Sequence, residues 1–145
     1  MTDPATLTGP VLFYDGTCGL CNRSVRLLLR LDRHARLRFA PLQSELAQGY
    51  LRRHGLPTED FDSMVLVPAW ERREFPEYAL RTDAAVAALK ACGGFAAGLG
   101  KTLGWVPSSW RDGVYRVIAR WRYRLWGEWQ ACPLPKPEWT RRFVG

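Results

Sequence analysis

The sequence predicts an α/β fold of the sandwich type, in which one sheet is covered by helices on both faces. Two observations support this class. Short apolar runs bounded by glycine and proline alternate along the chain with segments whose apolar residues recur at helical spacing. The composition is that of an ordinary globular domain, since 47 % of the 145 residues are hydrophobic and 24 % are charged. A chain of this length buries a full core without disulfides, so its four cysteines are available for chemistry.

Four short segments are predicted as strands. Residues 11–14 form an apolar, β-prone run directly after a Gly-Pro breaker. Residues 37–42 alternate between apolar and polar and are expected to end near Pro41. Residues 63–67 form a third apolar run, which a proline ends. Residues 74–80 are expected to pair antiparallel with this third strand across a polar turn.

Three helices alternate with these strands. The first follows residue 17, and its leucines share one face at helical spacing. Ser44 suits the N-cap of the second helix, which is expected to end at Gly55. Thr82 or Asp83 is expected to cap an alanine-rich third helix that ends at Cys92. The order strand, helix, strand, helix, strand, strand, helix is that of a thioredoxin-like three-layer sandwich.

We predict that residues 1–145 form a single domain. Residues 1–10 are expected to be a flexible N-terminus, residues 11–94 the thioredoxin-like core, and residues 95–145 a helical extension rich in tryptophan and arginine. No basic and apolar leader is visible, and no apolar run reaches the ~20 residues that cross a membrane. We therefore expect a cytoplasmic protein. Thiols are kept reduced in that compartment, so a close cysteine pair there is typically catalytic or metal-binding.

Cys18 and Cys21 form a C-x-x-C pair that follows a predicted strand and opens a predicted helix. The free N–H groups and the positive dipole end of a helix N-terminus stabilise a thiolate there. Such placement lowers a thiol pKa from ~8.5 toward ~3.5–7.5. We therefore expect Cys18 to attack a substrate disulfide, and Cys21, one turn further in, to resolve the mixed disulfide.

Two other interpretations of the pair stay open: half of a zinc site, and an inert structural pair. A structural zinc needs four ligands, usually as two close pairs. The other cysteines, Cys92 and Cys132, stand alone, and the two histidines form no ligand-spaced pair. We expect no metal and no cofactor. Cys92 is expected to pack as a small buried hydrophobe, whereas Cys132 either packs or approaches the dithiol as a third thiol.

Asp15 lies three residues before Cys18. Its carboxylate is suited to take a proton from a thiol during exchange, provided that burial raises its pKa. It is equally suited to bond the backbone of the Gly16-Thr17 turn. Both interpretations stay open at this point.

The segment Tyr-Asp-Gly-Thr-Cys-Gly-Leu-Cys at residues 14–21 resembles the signature of the DCC family of thiol-disulfide oxidoreductases. Residues 78–84, Arg111-Asp112 and Tyr115 also resemble that family. The resemblance implies a thioredoxin-like fold and thiol-disulfide oxidoreductase activity. It also implies that Asp15, Cys18 and Cys21 are the aspartate and the two cysteines after which the family is named. Arg81 and Cys132 match family-like positions that have no assigned role.

The implied partners are a disulfide-containing protein or small molecule and a dithiol reductant. Two features depart from ordinary thioredoxins. The dipeptide between the cysteines contains no proline, and Asp62-Ser63 stands where thioredoxins place a proline before the third strand. Substrate docking in the manner of thioredoxin is therefore not implied.

Residues 114–126 are predicted to form an amphipathic helix, with Arg116, Arg120 and Arg124 in a stripe on roughly the other side from an apolar face. The apolar face is expected to dock on the core and the arginines to be solvated. Alternatively, the helix binds an acidic partner or makes peripheral contact with an anionic membrane surface, while nucleic acid is not expected. Its apolar face consists of Val114, Val117, Ile118, Trp121 and Leu125.

Overall fold

The computed structural model of the chain describes residues 6–16, 19–59, 64–75, 77–126 and 142–144. The fold is mixed α/β, and the predicted order of strands and helices is confirmed in these ranges. The elements are β1 (Val11–Tyr14), α1 (Gly19–Leu31), β2 (Arg38–Pro41), α2 (Glu45–Arg53), β3 (Val65–Val67), β4 (Ala79–Leu80), α3 (Arg81–Cys92), α4 (Gly94–Gly104) and α5 (Ser108–Trp126).

The sheet has the strand order β2-β1-β3-β4. Strands β1 and β2 are parallel, because helix α1 returns the chain to the same end of the sheet. Strand β3 runs antiparallel to β1 on one side and to β4 on the other. The C-terminal end of β1, from which the chain continues into α1, therefore lies beside the start of β3.

Both faces of the sheet are buried, which explains why its strands are apolar throughout. Alternate residues of β1 enter two separate core clusters. Leu12 and Tyr14 pack with helices α1 and α3, whereas Val11 and Phe13 pack with helix α2 and Trp70. The sheet is therefore the middle of three layers, and the predicted thioredoxin-like sandwich is confirmed.

Local signals placed helix α2 correctly. Ser44 is its N-cap and accepts a hydrogen bond from the backbone N–H of Ala47. Gly55, predicted to end the helix, has a φ of 67°, a left-handed conformation that suits glycine. His54 is the C-cap residue, and its ring lies 2.8 Å from the carbonyl oxygen of Arg73.

Two predicted boundaries were wrong. Strand β4 contains only Ala79–Leu80 rather than residues 74–80, because the chain turns before it: the Phe75 N–H donates to the Arg72 carbonyl, and the Glu77 N–H donates to the Phe75 carbonyl. Helix α3 begins at Arg81 with Leu80 as its N-cap residue, and no side chain caps it. Thr82 and Asp83, the predicted caps, bind helix α5 instead.

The C-terminal residues 142–144 return to the outer edge of the sheet. The backbone N–H of Val144 donates to the carbonyl of Phe39 at 2.8 Å, beside a bridge between Phe39 and Phe143. The Arg142 guanidinium forms a buried ion pair with Asp32, and its Nε donates to the carbonyl of Leu37. This ion pair joins the end of the chain to the loop after α1.

At the other terminus, the segment predicted to be a flexible N-terminus is described from residue 6. There Leu7 is buried with the α2 cluster, and the Gly9 N–H donates to the Glu71 carboxylate at 2.8 Å. Across the described ranges, no helix combines the length and the apolarity needed to cross a membrane.

The extension was predicted only in part. Its described residues contain two helices, α4 and α5, and α5 begins six residues earlier than the predicted amphipathic segment. The orientation expected for α5 was wrong, since the described members of its apolar face, Val114, Val117, Ile118 and Trp121, are exposed to solvent. Val114 and Val117 are 62 % and 60 % exposed, and Trp110 is 72 % exposed. Trp105 and Trp121 are exposed as well, so these three tryptophans do not cover the sheet.

Candidate functional site at the dithiol edge

One edge of the sheet gathers the positions singled out by the sequence. Strands β1 and β2 both end there, with Tyr14 paired to Pro41. Strand β3 begins and β4 ends at the same edge, because Val65 pairs with Phe13 on one side and with Leu80 on the other. We call this the dithiol edge and define it by Asp15, Gln43, Met64 and Arg81, the residues next to these strand ends.

Asp15 is buried at the dithiol edge, with 3 % of its surface exposed. Its Oδ1 accepts a hydrogen bond of 2.9 Å from Gln43 Nε2. The Oε1 atom of the same Gln43 accepts from the backbone N–H of Gly16 at 3.1 Å. A single amide side chain thus connects the carboxylate and the turn that follows it. The side chain of Asn22 in α1 also bonds this turn, donating to the Gly16 carbonyl at 3.0 Å.

Sequence reasoning missed Gln43, although a signal was available. The carboxyl ends of parallel neighbouring strands meet at one edge of a sheet. Gln43 stands two residues after β2 and Asp15 stands one residue after β1, so the predicted topology brings the two side chains together.

Cys21 lies in the first turn of α1 and is 7 % exposed. It packs in the core cluster of α1 and α3 with Val25 and Leu28. This burial agrees with the prediction of an inner cysteine. Cys18, the predicted nucleophile, lies outside the described residues, as does Cys132. The sequence places Cys18 immediately before Gly19, where α1 begins.

Helix α5 reaches the dithiol edge with its polar side. The backbone N–H of Met64, the residue before β3, donates to the Tyr115 hydroxyl at 3.3 Å. Thr82 Oγ1 in α3 donates to Asp112 Oδ1 at 2.6 Å. Thr82, Asp112 and Tyr115 are among the residues that resemble the family, and these hydrogen bonds bring them together near the dithiol edge.

Arg111 reinforces the same contact between α3 and α5. Its NH2 group pairs with Asp83 at 3.2 Å, and its Nε donates to the carbonyl of Val106 at 3.1 Å. The side chain is largely buried. Sequence reasoning assigned no role to Arg111, since nothing local in α5 indicates which residue of α3 it meets.

The remaining predicted site residues are placed only in part. Arg81 begins α3 at the dithiol edge, but its side chain is not described. Within the described ranges, no three side chains of His, Cys, Asp or Glu converge as a metal site requires.

Cys92 contrasts with the dithiol. It is buried at the end of α3, and its Sγ lies 4.0 Å from the carbonyl oxygen of Leu28. Burial is the main cause, and the nearby Asp32 carboxylate a smaller one, of a Cys92 thiol pKa raised to about 11. Cys92 therefore stays a protonated thiol at neutral pH, in agreement with its predicted packing role.

A thioredoxin-like sandwich whose C-x-x-C segment follows β1 and runs into α1 is typical of thiol-disulfide redox domains. Comparison with known families agrees with that class. Residues 12–128 match the model of the DCC1-like thiol-disulfide oxidoreductase family, and the chain belongs to this family. The family resemblance found in the sequence is thereby confirmed.

Two relatives illustrate the family. The uncharacterized protein YuxK of Bacillus subtilis is 35 % identical over 92 % of this chain and 93 % of its own length. A DCC family protein of Arabidopsis thaliana, named as chloroplastic, is 31 % identical over 86 % of this chain and 69 % of its own length. No solved structure gives a significant match to the chain. The family name points to thiol-disulfide redox chemistry, whereas neither relative's name states a substrate.

Proposed function

We propose that the protein exchanges disulfides through the Cys18–Cys21 dithiol, with Cys18 as the nucleophile and Cys21 as the resolving thiol. The observation that supports this most is the burial of Cys21 in the first turn of α1, directly behind the β1 turn. In the sequence Cys18 immediately precedes Gly19, the first residue of α1, and a helix N-terminus stabilises a thiolate, which supports Cys18 as the nucleophile.

The exchange proceeds in two balanced steps. The Cys18 thiolate attacks one sulfur of the substrate disulfide, forms a Cys18–substrate bond and releases the other sulfur as a thiolate, which water protonates. Cys21 then loses its proton and attacks Cys18. A Cys18–Cys21 disulfide forms and the second substrate thiolate leaves. The substrate is reduced by two electrons, and a dithiol reductant returns the enzyme to its starting state.

Asp15 is the proposed acceptor of the Cys21 proton. It is a buried carboxylate at the same strand end, and Gln43 fixes one of its oxygens. An acceptor in this position speeds a proton transfer by about a hundredfold or more. The bond to Gln43 also supports the other interpretation, in which Asp15 only holds the turn, so the two roles need separate tests.

The test of the dithiol is reduction of a model disulfide by the reduced protein, followed by stopped flow and mass spectrometry. Cys18→Ser is expected to lose the reaction, whereas Cys21→Ser is expected to accumulate a mixed disulfide on Cys18. The control is Cys92→Ser, which is expected to react like wild type. Wild-type rates in Cys18→Ser would overturn the assignment and favour a non-catalytic binding module.

The test of Asp15 is Asp15→Asn, which keeps an oxygen for the Gln43 amide but removes the proton acceptor. If Asp15 takes the proton, the first step keeps its rate and the second slows by about a hundredfold, so the mixed disulfide accumulates. Wild-type kinetics in both steps would assign Asp15 to the turn alone.

A further inference from the structure

Helices α4 and α5 expose an apolar surface that no described residue covers. Phe95 is 83 % exposed, and Trp105, in the loop between the two helices, is 86 % exposed. Exposed apolar patches of this kind mark interaction sites. We call this surface the apolar face. It consists of Phe95, Leu99, Leu103, Trp105, Val106, Trp110, Val114, Val117, Ile118 and Trp121.

The apolar face is exposed because both helices contact the core through other residues. Helix α4 packs on α3 through Ala96 and Gly100, where a Cβ on Gly100 would lie 3.1 Å from the Cβ of Leu89. Helix α5 is held through Asp112 and Tyr115, which bond Thr82 and the Met64 backbone. These specific contacts fix the orientation of the helices, so the apolar side chains face outward as part of the native packing.

Basic residues border the apolar face. Arg116, Arg120 and Arg124 are exposed and recur every four residues along α5. On a helical wheel this spacing puts the arginine stripe directly beside the apolar stripe. The Arg124 guanidinium lies 5.0 Å from the centre of the Trp121 ring. Between residues 94 and 126 the chain has six basic residues and one acidic residue.

We propose that the apolar face binds an anionic membrane surface, with α4 and α5 lying in the plane of the interface. Tryptophan is favoured at that level of a bilayer, and a helix with an apolar stripe beside arginines is typical of interfacial binding. Arginine stems can also lie along apolar surface while their charged groups contact lipid phosphates.

Charge favours this occupant over a second copy of the chain. A symmetric pairing of two apolar faces would bring two arginine stripes together, and like charges facing each other oppose association. An anionic lipid surface offers apolar contact and opposite charge at once. The proposal does not depend on the dithiol chemistry, because no residue of the apolar face belongs to the dithiol edge.

The test is flotation of the full chain with vesicles of phosphatidylcholine and phosphatidylglycerol, compared with vesicles of phosphatidylcholine alone. We expect binding to the anionic vesicles, quenching of tryptophan fluorescence by brominated lipid, and weaker binding at high salt. Each basic residue near an anionic leaflet contributes about a factor of five to partitioning, so Arg116→Gln/Arg120→Gln/Arg124→Gln is expected to bind roughly a hundredfold more weakly.

A matched control removes the same charge elsewhere. Arg30→Gln/Arg52→Gln/Arg53→Gln replaces exposed arginines of α1 and α2 and is expected to bind vesicles much like wild type. Equal losses in both triple variants would overturn the proposal, because net charge alone would then explain the binding.

A second variant tests the apolar contribution. Trp110→Ser/Val114→Ser/Trp121→Ser alters only solvent-exposed positions and is expected to lose vesicle binding by at least about a hundredfold. Circular dichroism and disulfide exchange, both expected at wild-type level, show that the fold is intact. The proposal is overturned if wild type binds neither vesicle, or if it forms a dimer that this variant disperses while vesicle binding is absent.

Discussion

The sheet core and the α4–α5 extension use apolar residues in opposite ways. In the core, alternate strand residues pack against helices on two sides, and Phe13 has no exposed surface. In the extension, small and polar residues make the contacts with the core, and the apolar residues face solvent. Helix α1 of the core and helix α5 of the extension both have apolar residues at helical spacing, which predicts an amphipathic helix in each region.

This difference shows what the regular spacing of apolar residues in a sequence specifies. It specifies which residues share a face, but not which face is bound. In α5 the choice depends on partners far away in sequence. Thr82 and Asp83 offer a hydroxyl and a carboxylate to Asp112 and Arg111, and these bonds hold the polar side inward.

The comparison is tested most strongly by one substitution made in both regions. Phe13→Ala leaves a cavity in the core and is expected to lower the free energy of unfolding by about 3–5 kcal/mol. Phe95→Ala, on the apolar face, is expected to change it by less than about 0.5 kcal/mol. Urea unfolding measures both. Similar losses in the two variants would mean that α4 buries its apolar side.

The buried ion pair of the core gives the next largest effect. Arg142→Met leaves the Asp32 carboxylate without its guanidinium and is expected to cost about 3 kcal/mol. This is the low end of the range for a broken buried pair, because Asp32 keeps bonds from the backbone N–H groups of Arg36 and Leu37. Arg116→Met, the control on the exposed stripe, is expected to stay near wild type by thermal unfolding. A negligible loss in Arg142→Met would contradict the attachment of the C-terminus to the sheet.

The bond between α5 and the dithiol edge gives the smallest effect. Tyr115→Phe removes the acceptor of the Met64 N–H and is expected to cost about 1 kcal/mol. Amide hydrogen exchange at Met64 should therefore accelerate about fivefold. Tyr50→Phe is the control, because the buried Tyr50 hydroxyl has no hydrogen-bond partner among the described residues. An unchanged exchange rate at Met64 in Tyr115→Phe would contradict a hydrogen bond between α5 and the dithiol edge.

Much of the fold could be predicted from local signals. The cap Ser44, the stop at Gly55 and the apolar strands depend on residues close in sequence, and the structure confirms them. The Asp32–Arg142 pair joins residues 110 apart, so no window along the chain contains both. The start of β4 was misplaced for a related reason, since the turns that precede it depend on the packing of Trp70 in the core.

The candidate site, like the fold, was predicted from the sequence where it depends on local residues and was missed where it depends on distant ones. The motif placed Asp15 directly after β1 and Cys21 at the start of α1 from sequence alone, and both residues are buried. The groups that hold this edge together, Gln43 and Tyr115, come from other strands and helices. The predicted strand order could have identified Gln43 as a neighbour of Asp15, whereas only the packed structure identifies Tyr115 as a neighbour of Met64.

The central claim, that Cys18 is an activated nucleophile, is tested most directly by alkylation of the reduced protein over a range of pH. Peptide mass spectrometry follows each cysteine separately, and the protein unfolded in denaturant supplies the ordinary thiol pKa of about 8.5. Cys92 is the internal reference. Its pKa of about 11, raised by burial, keeps it protonated and unreactive until the pH approaches that value.

We predict that Cys18 alone reacts rapidly at neutral pH, with a midpoint in the range of about 3.5–7.5 for a thiol at a helix N-terminus. This fast phase should be absent from Cys18→Ser. Reaction of Cys18 only above about pH 8.5, as in the unfolded chain, would contradict the account. So would a fast phase that persists in Cys18→Ser.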